Sequence, residues 1–454
     1  MTTPATRAAT GTIAARLERL PHSRWHVKVR VLIGAVTFLE AFDQLLAASA
    51  LPVLTKTWHL DTGQATFAIT AASLGMLLGA LAAGWLGDRI GRVRTVALGV
   101  AVTTLGSLGV ALAQNIEMFS LLRLCQGLGI GGVVPVAATY VNEIARADKR
   151  GRFVLLYEMI FPAGLSAASL VAVWVVPNLG WRAMFILGGL PVLLAVTLPR
   201  TVPESPRWLL SQGRYEEAER VVEQIEAEVR AATGGELPEP GPAVVQETSK
   251  GRMRDLFTGR YLRRTTVLST LWFVAYYVNF GITAWLPQLY TSEFGLDLTT
   301  ALVYSMLTNA FGLLGTFLVA LLIDRIGRRP SLTLGLGGAA VSLLVLALLG
   351  ATSGAQVAVF ASCTGFFLFA VNAGLYLYAP ELYPTRNRAK GAAFGGLWNR
   401  LGVTLGPIVV GAIVAAGGGL RTVFLQLGIV AAVGAVVCLF AVETKGKALE
   451  ELNT

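Results

Sequence analysis

The sequence predicts an all-α membrane protein of twelve transmembrane helices, arranged as two pseudo-symmetric six-helix bundles. Three observations carry that expectation. Of the 454 residues, 54% are hydrophobic and only 14% charged, against about 25% charged in soluble domains, and the mean hydropathy is +0.63. Apolar stretches of roughly twenty residues, the length a helix needs to cross the hydrocarbon core, recur along the whole chain. Charged motifs that follow individual stretches in the first half return in the second at a nearly constant interval.

Taken in order, residues 1–30 form a polar, basic tail with Arg16, Arg19, Arg24, Lys28 and Arg30 and no signal-peptide pattern, as expected of a cytoplasmic tail. Six apolar stretches follow at 31–54, 64–87, 96–114, 118–140, 153–177 and 182–199, giving a first bundle over 31–199. The polar stretch 200–264 interrupts the pattern. Within it, Val221, Val222 and Ile225 recur at helical spacing among Glu, Arg and Ala, so an amphipathic surface helix is expected between Tyr215 and Ala231. The second bundle, 265–442, holds stretches at 265–290, 299–323, 332–350, 355–382, 392–416 and 422–442, and a short tail, 443–454, follows.

Charge sets the orientation. The formal net charge is +10, which in a soluble protein would suggest a nucleic-acid partner. Here the basic residues concentrate in loops between apolar stretches, so the partner is the lipid bilayer. Arg89, Arg92 and Arg94, then Arg146, Lys149, Arg150 and Arg152, then Arg325, Arg328 and Arg329, then Arg386, Arg388 and Lys390 follow spans two, four, eight and ten, whereas the other loops offer only Lys56, Arg182 and Arg421. The positive-inside rule places the first set, the linker and both termini in the cytoplasm. Cys125, Cys363 and Cys438 lie in apolar stretches without metal or redox spacing and read as packing residues.

The two halves echo each other. Asp88-Arg89-Ile90-Gly91-Arg92 after span two returns as Asp324-Arg325-Ile326-Gly327-Arg328 after span eight, and Glu143 returns as Glu381 at nearly the same interval. Two unrelated motifs sharing one interval imply a duplicated six-helix unit.

With these motifs in place, the chain resembles the major facilitator superfamily over almost its full length. Arg123-Leu124-Cys125-Gln126-Gly127, Arg150-Gly151-Arg152, Pro203-Glu204-Ser205-Pro206-Arg207-Trp208 and Glu443-Thr444-Lys445-Gly446 add to the likeness. Glu40-Ala41-Phe42-Asp43 in span one, and Asn399-Arg400-Leu401-Gly402 followed by Gly406-Pro407 in span eleven, look more like bacterial nicotinate permeases and aromatic-acid:proton symporters. The resemblance implies two bundles enclosing a central site that opens alternately to each side. It implies no cofactor beyond the coupling proton, and a small organic anion as partner, handled by a chain functional as a monomer.

Charged side chains in the hydrocarbon are costly and mark substrate or ion paths. Glu40 and Asp43 lie about 15 Å along span one at the helical rise, three residues apart and therefore on one face. They repel when both are ionised, which suits one of them to carry a proton, and the resemblance to the symporters implies Asp43 for that role, with Glu40 the second candidate; the bland alternative is a permanent pair with a buried arginine. Arg123 and Arg400 each sit on an otherwise apolar span. A guanidinium offers a planar fork to a carboxylate, so an anionic substrate is expected, with Arg123 equally able to neutralise Asp43 or Glu40. Tyr276, Tyr277, Asn279, Asn372, Trp398 and Asn399 are candidates to line the same cavity, while Trp285 near the end of span seven reads as an interfacial-belt residue. The glycine run 127–132 of span four follows no strand, so close helix packing explains it better than a dinucleotide site.

Asp88, Arg92, Glu143, Arg152, Asp324, Arg328, Glu381 and Arg388, joined by Glu204, Arg207 and Glu443, fall at cytoplasmic helix ends. Opposite charges there can pair when that side closes and part when it opens, which makes them gate candidates. The function expected from all this is proton-coupled symport of a nicotinate-like carboxylate. The rivals are a sugar or organic-cation transporter on the same scaffold and a non-transporting membrane receptor. An enzyme is not expected, since His22, His26 and His59 all lie outside the spans and no nucleophile and base are paired.

Overall fold

A computed structural model describes residues 13, 15–21, 23–144, 159–239 and 253–446. Among the described residues, twelve helices are long and apolar enough to cross a membrane: Arg24–Trp58, Thr62–Ile90, Arg92–Ala111, Ile116–Ala137, Ile160–Leu179 and Trp181–Thr201, then Tyr261–Thr283, Leu298–Ile326, Arg328–Leu349, Gly354–Glu381, Lys390–Ala415 and Leu420–Cys438. They are called spans one to twelve. The number matches the sequence expectation, and no strand occurs among the described residues. Large side chains such as Leu81, Leu193 and Leu348 stay exposed around the rim, as a surface meant for lipid requires.

Several spans are built from two helical segments. Span one is two helices, Arg24–Gln44 and Leu46–Trp58, joined at Leu45 directly after Asp43. Span six changes direction at Pro191, between Trp181–Gly189 and Val192–Thr201. A short helix, Leu286–Phe294, extends span seven and starts with a proline in its first turn, where the missing N–H costs nothing.

Small residues set the packing inside the first half. At Gly127 and Gly131 of span four, an added Cβ would strike the backbone carbonyls of Ala72 and Met76 in span two, the close approach expected of the glycine run.

The halves touch from the middle of the spans toward the end opposite the basic loops. Asn309 Nδ2 of span eight donates to Ser169 Oγ of span five at 2.9 Å, and Ser166 Oγ donates to Asn309 O at 3.0 Å. Leu46–Trp58 packs on Leu286–Phe294, and span two packs on span eleven. At Gly411 of span eleven there is no room for a methyl group: an added Cβ would overlap Thr66 Oγ1 and lie 3.0 Å from Trp285 Cζ2. The end opposite the basic loops is therefore shut in this conformation.

At the basic-loop end, the helix Tyr215–Thr233 buries Ala218, Val222, Ile225 and Val229 in one cluster with Ile13, Leu17 and Leu20. Glu226 sits among them, accepting from Arg16 Nη2 at 2.7 Å and Arg19 Nη2 at 2.7 Å. Burial alone would raise its pKa, but the hydrogen bonds and charges of Arg16 and Arg19 outweigh that and hold the carboxyl below the ordinary Glu value.

Candidate functional site

Two buried acid–base groupings occupy the middle of the bundle. Asp43 lies in the last turn before the break at Leu45 and faces spans three and four. Its Oδ1 accepts from Gln126 Nε2 at 2.6 Å, with the Ser107 hydroxyl at 3.4 Å, and its Oδ2 lies 3.5 Å from Arg123 Nη1. Arg123 Nη1 also donates to Gln126 Oε1 at 2.7 Å, and the guanidinium lies 5.8 Å from the centroid of the Phe185 ring. Asp43 is 1% and Arg123 2% exposed, so this pair is buried within the first half, with Arg123 Nε left without a hydrogen-bond partner among the described residues.

Glu40, one turn earlier, is different. It is 4% exposed, and neither carboxylate oxygen has a hydrogen-bond partner among the described residues. Its counter-charge is Arg400 Nη2 of span eleven, 3.8 Å from Oε1. The Glu40–Arg400 pair crosses between the halves, whereas Asp43–Arg123 does not. The shared face expected from the spacing is kept only loosely, because each acid takes its own arginine.

Next to these groups a small void lies between the halves. Gln44 and Ala48 of span one, Met76 of span two, Arg123 of span four, Phe280 of span seven and Pro407 of span eleven line it. A second small void lies inside the first half against Glu40.

The aromatic and amide candidates divide. Tyr276 belongs to a stacked column with Trp272, ring centroids 5.6 Å apart, and Phe280, at 6.1 Å, and Phe280 reaches the central void. Tyr277 points elsewhere: its hydroxyl accepts from Gln426 Nε2 of span twelve at 2.7 Å, and its ring lies beside Phe273. Successive residues on a helix with 3.6 residues per turn are about 100° apart, so the two tyrosines leave span seven in different directions and, in this conformation, are engaged with different neighbours. Asn279, Asn372 and Asn399 are buried, each with a side-chain carbonyl that lacks a hydrogen-bond partner among the described residues. Trp398 Nε1 is likewise unpartnered, with the ring edge-on to Phe273 and Phe394, each at 6.3 Å.

Two further residues belong to the site that sequence reasoning passed over. Gln126 follows Arg123 by three residues and so shares its helix face; that spacing was the available signal. Phe280 follows Tyr276 by one turn and carried the same kind of signal. Trp285 is a correction. It is buried at 2% exposure and its Nε1 donates to Pro407 O at 3.0 Å, because the closed ends of spans one, seven and eleven cover it, so it is not an interfacial-belt residue.

At the basic-loop end the expected gate charges form two matched clusters. In the first half Arg92 reaches Asp88 Oδ1 at 2.7 Å and Glu143 Oε1 at 3.4 Å, while Glu204 Oε1 accepts from the backbone N–H of Arg92 at 2.8 Å. In the second, Arg328 reaches Asp324 Oδ1 at 2.8 Å and Glu381 Oε1 at 3.0 Å, while Glu443 Oε1 accepts from the N–H of Arg328 at 3.0 Å. Gly91 and Gly327 precede these helices with φ of 105° and 106°, a backbone that glycine adopts most readily. A Cβ at either position would press on the capping carboxylate. Glu443 would be raised by burial, but N–H donors from Lys445, Arg328 and Arg329 hold it below the ordinary value. All these pairs are internal to one half; none of them joins the two. Arg207 lies in the short helix Pro206–Ser211 that follows Glu204. Arg152 and the side chain of Arg388 lie outside the described residues.

Comparison with known proteins fits this geometry. The profile of a family described as "Sugar (and other) transporter" matches residues 32–454. The chain is 32% identical over 442 residues to the niacin transporter NiaP of Acinetobacter baylyi, covering 97% of this chain and 99% of that one. It is 26% identical over 427 residues to the 4-hydroxybenzoate transporter PcaK of the same organism, covering 94% and 93%. Among solved structures, the major facilitator superfamily proton:xylose symporter XylE bound to 6-bromo-6-deoxy-D-glucose is similar, with a TM-score of 0.70 over 95% of this chain and 98% of that one. At 20% identity that likeness concerns the fold.

Proposed function

The chain belongs to the sugar (and other) transporter family of the major facilitator superfamily, a family of transporters rather than enzymes, and from that membership we propose that it imports a small aromatic or heteroaromatic carboxylate of the nicotinate kind together with a proton. It does so as a single chain in the cytoplasmic membrane, with both termini in the cytoplasm and no cofactor other than the coupling proton.

The observation that carries this reading is the Glu40–Arg400 pair, 3.8 Å apart across the two halves. Arg400 is a cation in hydrocarbon whose partner is held by charge alone, so a substrate carboxylate can take the partner's place. Once displaced, Glu40 would be an isolated buried anion, and breaking a buried pair in that way costs about 3–5 kcal/mol. Protonation removes that cost, so loading of an anion at Arg400 favours loading of a proton on the carboxylates of span one. Arg123 and Phe280, the end of the Tyr276–Phe280 stack, line the nearby central void, where an aromatic ring can stack. The names of the niacin and 4-hydroxybenzoate relatives support a planar carboxylate.

The test is uptake of labelled nicotinate and related aromatic acids into proteoliposomes, with and without an inward proton gradient, for the native protein and for Asp43→Asn. Gradient-driven uptake that the substitution abolishes supports the reading. If these acids neither enter nor compete while sugars do, the substrate assignment falls and the transporter family remains.

A further inference from the structure

The central void has walls of unlike character. Its polar lining residues are Gln44 of span one, Ser73 of span two and Arg123 of span four, all from the first half, whereas the wall from the second half is apolar, with Phe280 and Val403 in it. Two of the polar side chains carry buried atoms that lack a hydrogen-bond partner among the described residues: Gln44 Oε1, an acceptor, and Arg123 Nε, whose N–H is a donor. Arg123 Nη1, by contrast, is taken up by Gln126 and Asp43. A buried polar atom left unpaired is costly, and a small void offering both a donor and an acceptor is where water is held. A ligand that displaces such water without reproducing its hydrogen bonds loses affinity.

Helix geometry brings Gln44 level with the far end of a substrate held at Arg400. Gln44 ends the helix Arg24–Gln44. It follows Glu40 by four residues, so it lies on the same face and about 6 Å further along the axis. That separation is comparable to the distance across one six-membered ring between opposite substituents. Val403 and Pro407, one and two turns beyond Arg400 on span eleven, carry the apolar wall to the same level. A planar acid whose carboxylate takes the place of Glu40 at Arg400 therefore lays its ring against Phe280 and points its far edge at Gln44 and Arg123. Because the two walls belong to different halves, the void widens as the halves part.

We propose that Gln44 selects among aromatic acids by reading a hydroxyl on the ring position opposite the carboxylate. The hydroxyl donates to Gln44 Oε1 and accepts from the Arg123 Nε–H, so one group satisfies both atoms. An unsubstituted ring satisfies neither, and a pyridine nitrogen, which only accepts, satisfies one. The inference rests on the reading of Arg400 as the carboxylate site and adds to it the class of cargo that is preferred, a para-hydroxylated aromatic acid.

The experiment measures equilibrium binding of labelled benzoate, 4-hydroxybenzoate and nicotinate to the full chain in nanodiscs. The native protein should hold 4-hydroxybenzoate at least about tenfold more tightly than benzoate, equivalent to about 1.4 kcal/mol, with nicotinate between them. Gln44→Met, an unbranched side chain without the amide, should shrink that preference to within about threefold, since specificity is a difference of affinities and only Arg123 then reads the hydroxyl. Gln44→Asn, the shorter amide, should keep part of the preference. The readout is the ratio between two acids in one preparation, so a substitution that only loosens the fold weakens both and leaves the ratio alone. A native ratio near one, or a ratio that Gln44→Met leaves at its native value, overturns the inference, and nicotinate binding in the same samples then keeps the carboxylate reading. If none of the three acids binds, the carboxylate reading falls and this inference falls with it.

Discussion

Closure of the end opposite the basic loops depends on Gly411, and Gly411→Ala tests how closely. The added Cβ would overlap Thr66 Oγ1 of the other half, and it would stand 3.0 Å from both Thr66 Cγ2 and Trp285 Cζ2. Thr66 cannot step aside freely, because its hydroxyl donates to Thr62 O at 2.6 Å and Trp285 is pinned to Pro407. Overpacking of this kind costs about 1–3 kcal/mol, and the cost falls only on the closed arrangement. The closed-to-open ratio should drop about 5- to 150-fold. The readout is a cysteine introduced at Ala48, which lines the central void and is 5% exposed, in a background where the exposed Cys125 and Cys363 are changed to Ser. A charged thiol reagent added on the side opposite the basic loops should label it faster by that factor. Thr66→Ala in the same chain removes both clashing atoms of the first half and should return labelling toward the native rate. Labelling indifferent to Gly411→Ala, or a double variant as fast as the single one, would refute the argument that this contact seals the end.

Arg400→Gln should cut nicotinate uptake at least about thirtyfold, since losing one member of a buried charge pair costs about 2–5 kcal/mol. Arg123→Gln should instead lower the thermal unfolding midpoint, because it strands Asp43 inside the fold; normal nicotinate binding by Arg400→Gln would remove the anion site. Gly91→Ala and Gly327→Ala should lower the unfolding midpoint in detergent by similar amounts, each corresponding to about 1–3 kcal/mol of backbone strain, and a large effect in only one half would show that the copies are not energetically equivalent. Glu226→Gln should speed hydrogen exchange across residues 15–20 at least about tenfold after correction for the intrinsic rate. The native protein should show the same loosening only in acid. The folded Glu226 binds protons less readily than it does in the unfolded chain, so its contribution is complete above the ordinary value of 4.5 and is lost as pH falls through the depressed one; loosening that begins above pH 5 would contradict this assignment.

What the sequence made legible was whatever is periodic or local. The spans follow from length and apolarity, and the duplicated unit follows from two motifs returning at one interval. The Asp88–Arg92 and Asp324–Arg328 pairs are contacts between residues four apart on a helix, so their spacing already implies them. Contacts between distant spans were not legible in this way. Nothing local says that Glu40 faces Arg400 while Asp43 faces Arg123, because that choice depends on how spans one, four and eleven cross. Helical period could have separated Tyr276 from Tyr277, but not said which of them faces the cavity, since span twelve had to supply Gln426 first. Trp285 was misplaced because a tryptophan at a span end has the same local sequence whether it meets lipid or a neighbouring helix; the kink and short helix Leu286–Phe294 decided it.

Glu204 caps the amides at the start of span three from 112 residues further along the chain, and Glu443 does the same for span nine from 115 residues further along. In the order of synthesis, each of those spans enters the bilayer with its leading N–H groups unmet and stays so until the residue just past the sixth span of its own half has left the ribosome. Each half thus carries its own fastener at its trailing edge. The first bundle can lock before the ribosome has begun the second, and a chain halted short of residue 204 would hold all six spans of that bundle yet leave it unlatched.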